Sequence, residues 1–476
     1  MTVNERIARL KERLQQIKKQ RETTKKVQIF KFKPFSRKQK QVLSWWLPNS
    51  PVKDYDGIIA DGAIRSGKTV CMSLSFVFWA MSTYNGQNFA MCGKTIGSFR
   101  RNVLFLLKLM LRSRGYKVVD HRADNLVEIS RGQVMNNFYI FGGKDESSQD
   151  LIQGITLAGL FCDEVALMPE SFVNQATGRC SVDGSKYFFN CNPAGPLHWF
   201  KVNWIDKAIG FLGKKKTAEI LEEAEKNHTD SSLKKLLYLH FTMDDNLSLS
   251  EKNKARYHSM YAGVFFLRYI EGKWAVAEGL IYTMCRDENY YTDEERPVDL
   301  KSIAVRTISV DYGTTNPCVF LDIWDDGQTI WIDREYRWDS RSEESRRTGN
   351  PNKTDSQYGD DMTEFMGTDP QQMCSIVVDP SAASFIAELR SRGFVVKPAN
   401  NEVLDGIRVV ASLLAQRRLK INRNCKGLIS EMQSYAWDDK AAERGEEKPV
   451  KQLDHGPDAA RYYCMTILPS WRRGIR

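Results

Sequence analysis

The chain has 476 residues, 42% hydrophobic and 27% charged, with 69 Lys and Arg against 59 Asp and Glu for a net charge of +10. At roughly 100–200 residues per domain this predicts two or three globular domains, and the balanced composition excludes a disordered, fibrous or collagen-like chain. No apolar run approaches the roughly 18 residues of a membrane span and no signal peptide is evident, so a soluble, cytoplasmic protein without a membrane partner is expected, its mild basic excess compatible with a polyanion but not demanding one.

Residues 1–34 are polar and basic. Ile7, Leu10, Leu14 and Ile17 recur at three- and four-residue spacing, which predicts a short amphipathic helix. It either touches DNA or a partner, or docks on its own domain. From 35 to 205, short apolar runs alternate with helix-length segments. "GIIAD" (Gly57–Asp61), "NFAMCGK" and "LAGLFCDE" read as buried strands and Thr69 to Met81 as a helix. This alternation predicts a mainly parallel α/β domain. Residues 206–300, with "LEEAEK" and "SSLKKLLYL", read as a charged helical link. From 301 to 476 a second α/β domain is expected. "IAVRTISVDYG", "CVFLDIW" and "TIWIDREYRW" suggest an antiparallel meander, 339–370 a polar, loop-rich stretch, and "CSIVVD" a further strand before several helices and a basic tail. The ten cysteines form no Cys-x-x-Cys pair, and Cys71, Cys92, Cys162, Cys318 and Cys464 sit in apolar runs. They read as reduced core residues.

"GAIRSGKT" (Gly62–Thr69) fits G-x-x-x-x-G-K-[ST] between a strand and a helix, the setting in which backbone amides and a helix N-terminus cradle phosphates. The pattern assigns binding of ATP or GTP to Gly62, Arg65, Ser66, Gly67, Lys68 and Thr69, the plain alternative being a Gly-rich turn. Lys68 would reach the β and γ phosphates and Thr69 would hold Mg2+. "LAGLFCDE" ends in an acid pair. Asp163 would bind Mg2+, and Glu164 would orient and polarise the attacking water, the role that separates hydrolysis from mere binding. Arg65 either stabilises γ-phosphate charge or faces solvent. Gln39, in "FSRKQKQVL", either reads the adenine edge or simply opens a surface helix.

The second half carries acids at strand ends. Asp311 closes "TISVD", Asp379 closes "SIVVD", and Asp458 lies in "DHGPDAARYY", which opens a helix. Three such carboxylates can hold two divalent ions, Mg2+ or Mn2+, about 3.5–4 Å apart. Strands, meander and helix in this order are those of a ribonuclease-H-like fold. His455 precedes Asp458 by one helical turn and would bind metal or assist proton transfer. A single Asp at a strand end is usually only a cap or turn former.

Together these blocks resemble terminase large subunits of the PBSX type, from about Phe35 to Tyr463. "LIQGITLAGLFCDE", "FNCNPAGPLHWF", "RYIEGKWAVAEGLIY", "VVDPSAASFIAELRSRGF", "NEVLDGIRVVASLL" and "KPVKQLDHGPDAARYY" occur in that family's order. The resemblance implies an N-terminal ASCE-type, RecA-like ATPase and a C-terminal ribonuclease-H-like nuclease. Lys68, Thr69, Asp163 and Glu164 then take the ATPase roles, Asn192 falls in the segment coupling hydrolysis to movement, and Asp311, Asp379 and Asp458 fall on the nuclease acids with His455 beside them. It implies translocation of viral double-stranded DNA into a procapsid, cleavage of concatemers, a small-subunit partner, a portal protein and a subunit ring. The place of action would be the cytoplasm of an infected bacterium and not the mature virion. Family loops often carry the arginine where this chain has Ile64. Arg100 and Arg101 are candidates, on position alone, for an arginine acting on a neighbouring subunit. The rival readings are a helicase-like P-loop motor without a packaging role, a transposase-like metal nuclease, and a protein that binds nucleotide without turnover. The acids of the second half, the P-loop and Glu164 argue against them in turn.

Overall fold

The structure is a computed structural model and describes residues 33–209, 233–313, 316–347, 352–367 and 374–469. The helix expected around Ile7–Ile17, the "LEEAEK" stretch and the basic tail lie outside the described residues. Two compact units are formed. One holds the residues up to Ile58 together with Lys68–Asn190, and the other Ile59–Gly67 together with the residues from Cys191 onward.

The N-terminal sheet has eight strands, β1 (Gly57–Gly62), β2 (Asn88–Gly93), β3 (Lys117–His121), β4 (Leu126–Arg131), β5 (Val134–Gly142), β6 (Gly159–Cys162), β7 (Lys186–Asn190) and β8 (Leu236–Phe241), in the order β3-β4-β5-β2-β6-β7-β1-β8. β2 runs parallel to β5 and β6, and β6 to β7, while β3, β4 and β5 form an antiparallel edge. Helix α1 (Arg37–Ser44) begins at a capping box in which Ser36 and Gln39 satisfy each other's backbone amides. Helix α2 (Lys68–Thr83) is buried along most of its length, so it is apolar all round rather than amphipathic. Its Phe76 and Trp79 lie in an aromatic cluster with Phe89, Phe161 and Phe188. Each such pair adds about 0.5–1.5 kcal/mol beyond simple burial. Gly159 is needed here, because a Cβ at this position would come within 2.5 Å of the Trp79 ring.

The second unit carries a seven-stranded sheet of β9 (Tyr290–Tyr291), β10 (Val305–Asp311), β11 (Cys318–Asp325), β12 (Ile330–Trp338), β13 (Ser375–Val378), β14 (Val395–Pro398) and β15 (Leu419–Asn422), in the order β14-β13-β10-β11-β12-β15-β9. β10, β11 and β12 are the antiparallel meander, and β13 and β14 continue parallel on the far side of β10. This is the ribonuclease-H-like arrangement expected from the strand order, extended beyond β12. β11 shows the period of two. Val319, Leu321 and Ile323 pack with Ile407 and Val410 of α4 (Val403–Ala415) and Tyr463 of α6 (His455–Thr466), whereas Cys318 and Phe320 pack with Tyr358 and Met362 of α3 (Asp355–Met366). The sheet is therefore covered on both faces. Helix α5 (Lys426–Ser434) adds Leu428 and Met432 to the first of these layers.

Two local readings of the sequence are corrected. The described end of "SSLKKLLYL" is a strand, β8, not a helix: Leu237, Leu239 and Phe241 are buried at alternate positions, and their period of two overrides the helical look of the charged residues before them. The polar stretch 339–370 contains the twelve-residue helix α3. Thr354 and Gln357 cap it, and Tyr358 and Met362, one turn apart, bury its inner face.

Candidate nucleotide site and nuclease cavity

The loop following β1 is fixed through its backbone. Ala63 N–H donates to Phe241 O at 2.8 Å, Ile64 N–H donates to Tyr269 O at 2.8 Å, and the Asn246 amide donates to Arg65 O at 2.6 Å. Gly62 has φ 118° and a Cβ there would stand 2.0 Å from Phe241 O, so only glycine fits. Arg65 at φ 57° and Gly67 at φ 87° are left-handed, the kind of backbone from which anion-binding nests are made. The exposed Arg65 guanidinium lies 5.5 Å from the Tyr257 ring centroid. Asp61, fully buried just before the loop, accepts from Trp274 Nε1 at 2.7 Å and pairs with His240 Nδ1 at 3.0 Å. Neither this anchor nor its partners stand out in the sequence. A carboxylate ending a buried strand beside a P-loop is the one available signal.

Lys68 and Thr69 open α2. Thr69 Oγ1 donates to Asp163 Oδ1 at 2.9 Å, and Asn190 Nδ2 donates to the same oxygen at 2.9 Å. Burial pushes the Asp163 carboxyl above its ordinary value, against the hydrogen bonds from Asn190 and Thr69 and the charge of Lys68. Glu164 takes the left-handed conformation, φ 59° and ψ 48°, which is uncommon outside glycine and is stored strain typical of functional positions. Its N–H donates to Asn190 Oδ1 at 2.9 Å. Asn190 at the end of β7 therefore holds both acids. Sequence reasoning missed Asn190, which is visible in hindsight as the polar residue ending "KYFFN". Hard oxygens from Thr69 and Asp163, with a lysine beside them, fit Mg2+. The Gln39 carboxamide oxygen accepts the Ser36 N–H at 3.0 Å, so one of the two groups that would read adenine is already engaged. Arg100 forms an ion pair with Asp120 at 2.5 Å and also reaches Asn125. Arg101 is exposed.

In the second unit, Asp311 ends β10 and Asp379 directly follows β13. These strands are parallel neighbours with Val310 paired to Val378, so the two acids emerge side by side. Helix α6 supplies His455 and Asp458. All four line one cavity of 880 Å3 with Asp339, Asp454 and Tyr462. His455 Nδ1 lies 2.8 Å from Asp311 Oδ2. Burial, with the charge of Asp458, raises the Asp311 carboxyl against the His455 bond. Burial is the largest influence on His455 and opposes its charge, but the bond to Asp311 and the charges of Asp311, Asp454 and Glu431 together prevail and hold the imidazole above its ordinary value. At Asp379 burial acts upward, but hydrogen bonds from Ser381, Tyr462 and Asn401 prevail and hold it low. Asp458 pairs with the buried Arg461 at 2.9 Å. Each carboxylate is thus turned toward its own protein partners, and among the described residues no three His, Cys, Asp or Glu side chains close around a point as they would around an ion. Their hard oxygen donors suit Mg2+ or Mn2+. Asp454, adjacent to His455, and Asp339 carry no signal of their own in the sequence.

The chain is 54% identical to the large terminase of a thermophilic bacteriophage, covering 92% of this chain and 100% of that one with a TM-score of 0.81. It belongs to the terminase large subunit family. A second structure of the same thermophilic phage's terminase, in complex with ATP-gamma-S, is 52% identical over 91% of this chain and 100% of that one, with a TM-score of 0.78. Residues 59–285 match the family model described as terminase large subunit, T4likevirus-type, N-terminal. The large terminase subunit of Escherichia phage T5 is 24% identical over 362 residues, 73% of each chain. In this terminase chain the family match spans the P-loop and the acid pair of β6, and the cavity of acids lies beyond it.

Proposed function

We propose that this terminase is the motor and nuclease of phage DNA packaging, moving double-stranded DNA into a procapsid by ATP hydrolysis and cutting the concatemer. What carries the reading is the presence in one chain of a P-loop whose Thr69 meets Asp163 and a separate cavity that gathers Asp311, Asp379 and Asp458. The ATP-gamma-S complex of the thermophilic-phage relative supports nucleotide binding at Gly62–Thr69.

Lys68 neutralises the β and γ phosphates, and Glu164 orients the attacking water while Asn190 holds its backbone. Thr69 and Asp163 would hold Mg2+, which would supply further charge neutralisation. In the cavity, Asp311, Asp379 and Asp458 would hold two divalent cations, Mg2+ or Mn2+, which supply Lewis-acid assistance to phosphodiester hydrolysis. His455 holds Asp311 in place and stands ready to exchange a proton. DNA is gripped through its phosphates, because a translocating motor cannot depend on base identity. The small subunit, the portal and a ring of further copies are the partners, and the infected host cytoplasm is the place of action.

A packaging reaction tests the whole reading. Full-length protein, small subunit, procapsids and ATP should render DNA nuclease-resistant, and Lys68→Ala should abolish that protection. Protection that survives Glu164→Gln would overturn the motor assignment.

A further inference from the structure

The nuclease cavity has a chemical problem that its acids cannot solve. Asp311, Asp339, Asp379, Asp454 and Asp458 all line it, and a cluster of carboxylates repels the polyanion it is meant to cut. Two divalent cations would offset most of that charge at the scissile phosphate, and for the flanking phosphates two basic side chains are present. Arg341 and Lys451 line the same cavity from two different loops. Arg341 is exposed, forms no ion pair among the described residues, and is steadied by donating to Asn316 Oδ1 while its own N–H is held by Asp339 Oδ1 at 3.0 Å. A guanidinium held by a neutral amide keeps its charge for an incoming anion, and its planar fork matches a phosphate. Lys451 is also exposed, and its ion pair with Asp454 is long, at 3.9 Å.

Leu453 lies between Lys451 and Asp454 in the chain. It is 60% exposed and lines the cavity. Its backbone is left-handed, with φ 53°, a strained state for a branched apolar residue. Neither burial nor backbone preference accounts for a leucine here. Apolar side chains at the surface of DNA-bending proteins press into the minor groove or between base steps, and an exposed leucine lining the same cavity as two basic side chains is suited to that role.

We propose that Arg341, Lys451 and Leu453 form a docking rim for duplex DNA. The two cations grip backbone phosphates on either side of the scissile one, and Leu453 presses into the groove between them. The proposal deepens the nuclease reading and rests on it.

The test uses the full-length chain. Steady-state cleavage of a linear duplex with Mn2+ should show KM raised about tenfold in the Arg341→Ala/Lys451→Ala double variant, with kcat changed much less, because the lost contacts are made equally in ground and transition states. Binding of a short duplex without divalent metal, followed across a salt series, should lose about 1.8 from its log–log slope, roughly 0.9 per phosphate contact. Leu453→Gly separates function from folding. Glycine relieves the left-handed strain, so the melting temperature should hold or rise while KM still increases. Arg347→Ala, outside the cavity lining, is the control and should cleave normally. Wild-type KM and salt slope in the double variant would overturn the cationic rim, and unchanged KM in Leu453→Gly would overturn the wedge. If the wild-type chain cuts nothing while Asp311→Ala behaves identically, the nuclease reading falls, and the salt slope still decides whether Arg341 and Lys451 seat DNA.

Discussion

The Asn190 carboxamide spans the two acids at the end of β6, with Nδ2 donating to Asp163 Oδ1 and Oδ1 accepting the Glu164 N–H, both at 2.9 Å. One side chain thus fixes the carboxylate assigned to Mg2+ and the left-handed backbone from which the assigned catalytic glutamate projects.

Removing that bridge should damage turnover more than binding. Asn190→Ala deletes one hydrogen bond to a charged carboxylate and leaves the Glu164 N–H without its acceptor. A loss of about 2 kcal/mol corresponds to roughly a thirtyfold fall in kcat for ATP hydrolysis. Asn190→Asp should be worse, since it sets a second carboxylate against Asp163. Steady-state hydrolysis with nucleotide binding measured in parallel decides it, and a wild-type kcat in Asn190→Ala would remove Asn190 from the site.

Lys68 and Glu164 should separate binding from hydrolysis. Lys68→Ala should weaken nucleotide binding and abolish turnover, because the lost charge faces phosphate in both ground and transition states. Glu164→Gln should bind nucleotide nearly as wild type while hydrolysis falls by about a hundredfold or more, since only water activation is lost. Calorimetric binding beside a phosphate-release assay reads both. Wild-type turnover in Glu164→Gln would show that another group positions the water.

What is legible in the sequence follows from locality. The P-loop, the β6 acid pair and the strand-end acids Asp311 and Asp379 announce themselves because each combines a hydrophobic period with a chemically required residue inside a short window. Asn190 and Asp61 do not, because their roles arise from pairings 27 and 213 positions apart, to Asp163 and Trp274. β8 departs from the helical expectation because the charged residues before it suggest a helix, and only the alternation of Leu237, Leu239 and Phe241 reveals the strand. The left-handed Leu453 is invisible to any pattern, since leucine is among the last residues expected at positive φ.

Asp120 should show in the acid limb of stability. Burial acts to raise its carboxyl, but the hydrogen bonds and charges of Lys108 and Arg100 outweigh that and hold it below the ordinary value. A folded-state pKa below the unfolded one contributes stability that is present above the unfolded value, about 3.9, and is lost as pH falls through the folded value. Asp120→Asn should therefore melt lower than wild type at pH 7, and the gap should narrow as pH drops below about 4. A gap of constant size from pH 7 to pH 3 would mean that the ion pairs with Arg100 and Lys108 contribute nothing.

The nuclease should work as a separate piece, provided it is cut in the right place. The sequence suggests a boundary near Lys301, but Ala277, Ile281 and Tyr282 are buried in the core beneath α4 and α6. Ile281 N–H donates to Tyr435 O at 2.8 Å, and β9 pairs with β15. A fragment beginning at Val276 keeps these contacts, and one beginning at Lys301 loses them at about 1.5–3 kcal/mol for each large side chain. The longer fragment should therefore melt cooperatively and cleave plasmid DNA with Mn2+ or Mg2+ and no ATP, while the shorter one should melt much lower or not fold. In the longer fragment Asp311→Ala, Asp379→Ala and Asp458→Ala should each stop cleavage, because losing one carboxylate vacates a cation position. His455→Ala should be milder, since it removes a hydrogen bond to Asp311 and no negative charge. The same Asp variants of the full-length chain should still hydrolyse ATP. Thermal melts of every variant separate a lost site from a lost fold, because Asp311 sits at a strand end where a substitution can disturb packing. Cleavage that survives Asp311→Ala would refute the assignment, as would a folded, metal-binding fragment that leaves DNA intact with every cation tried.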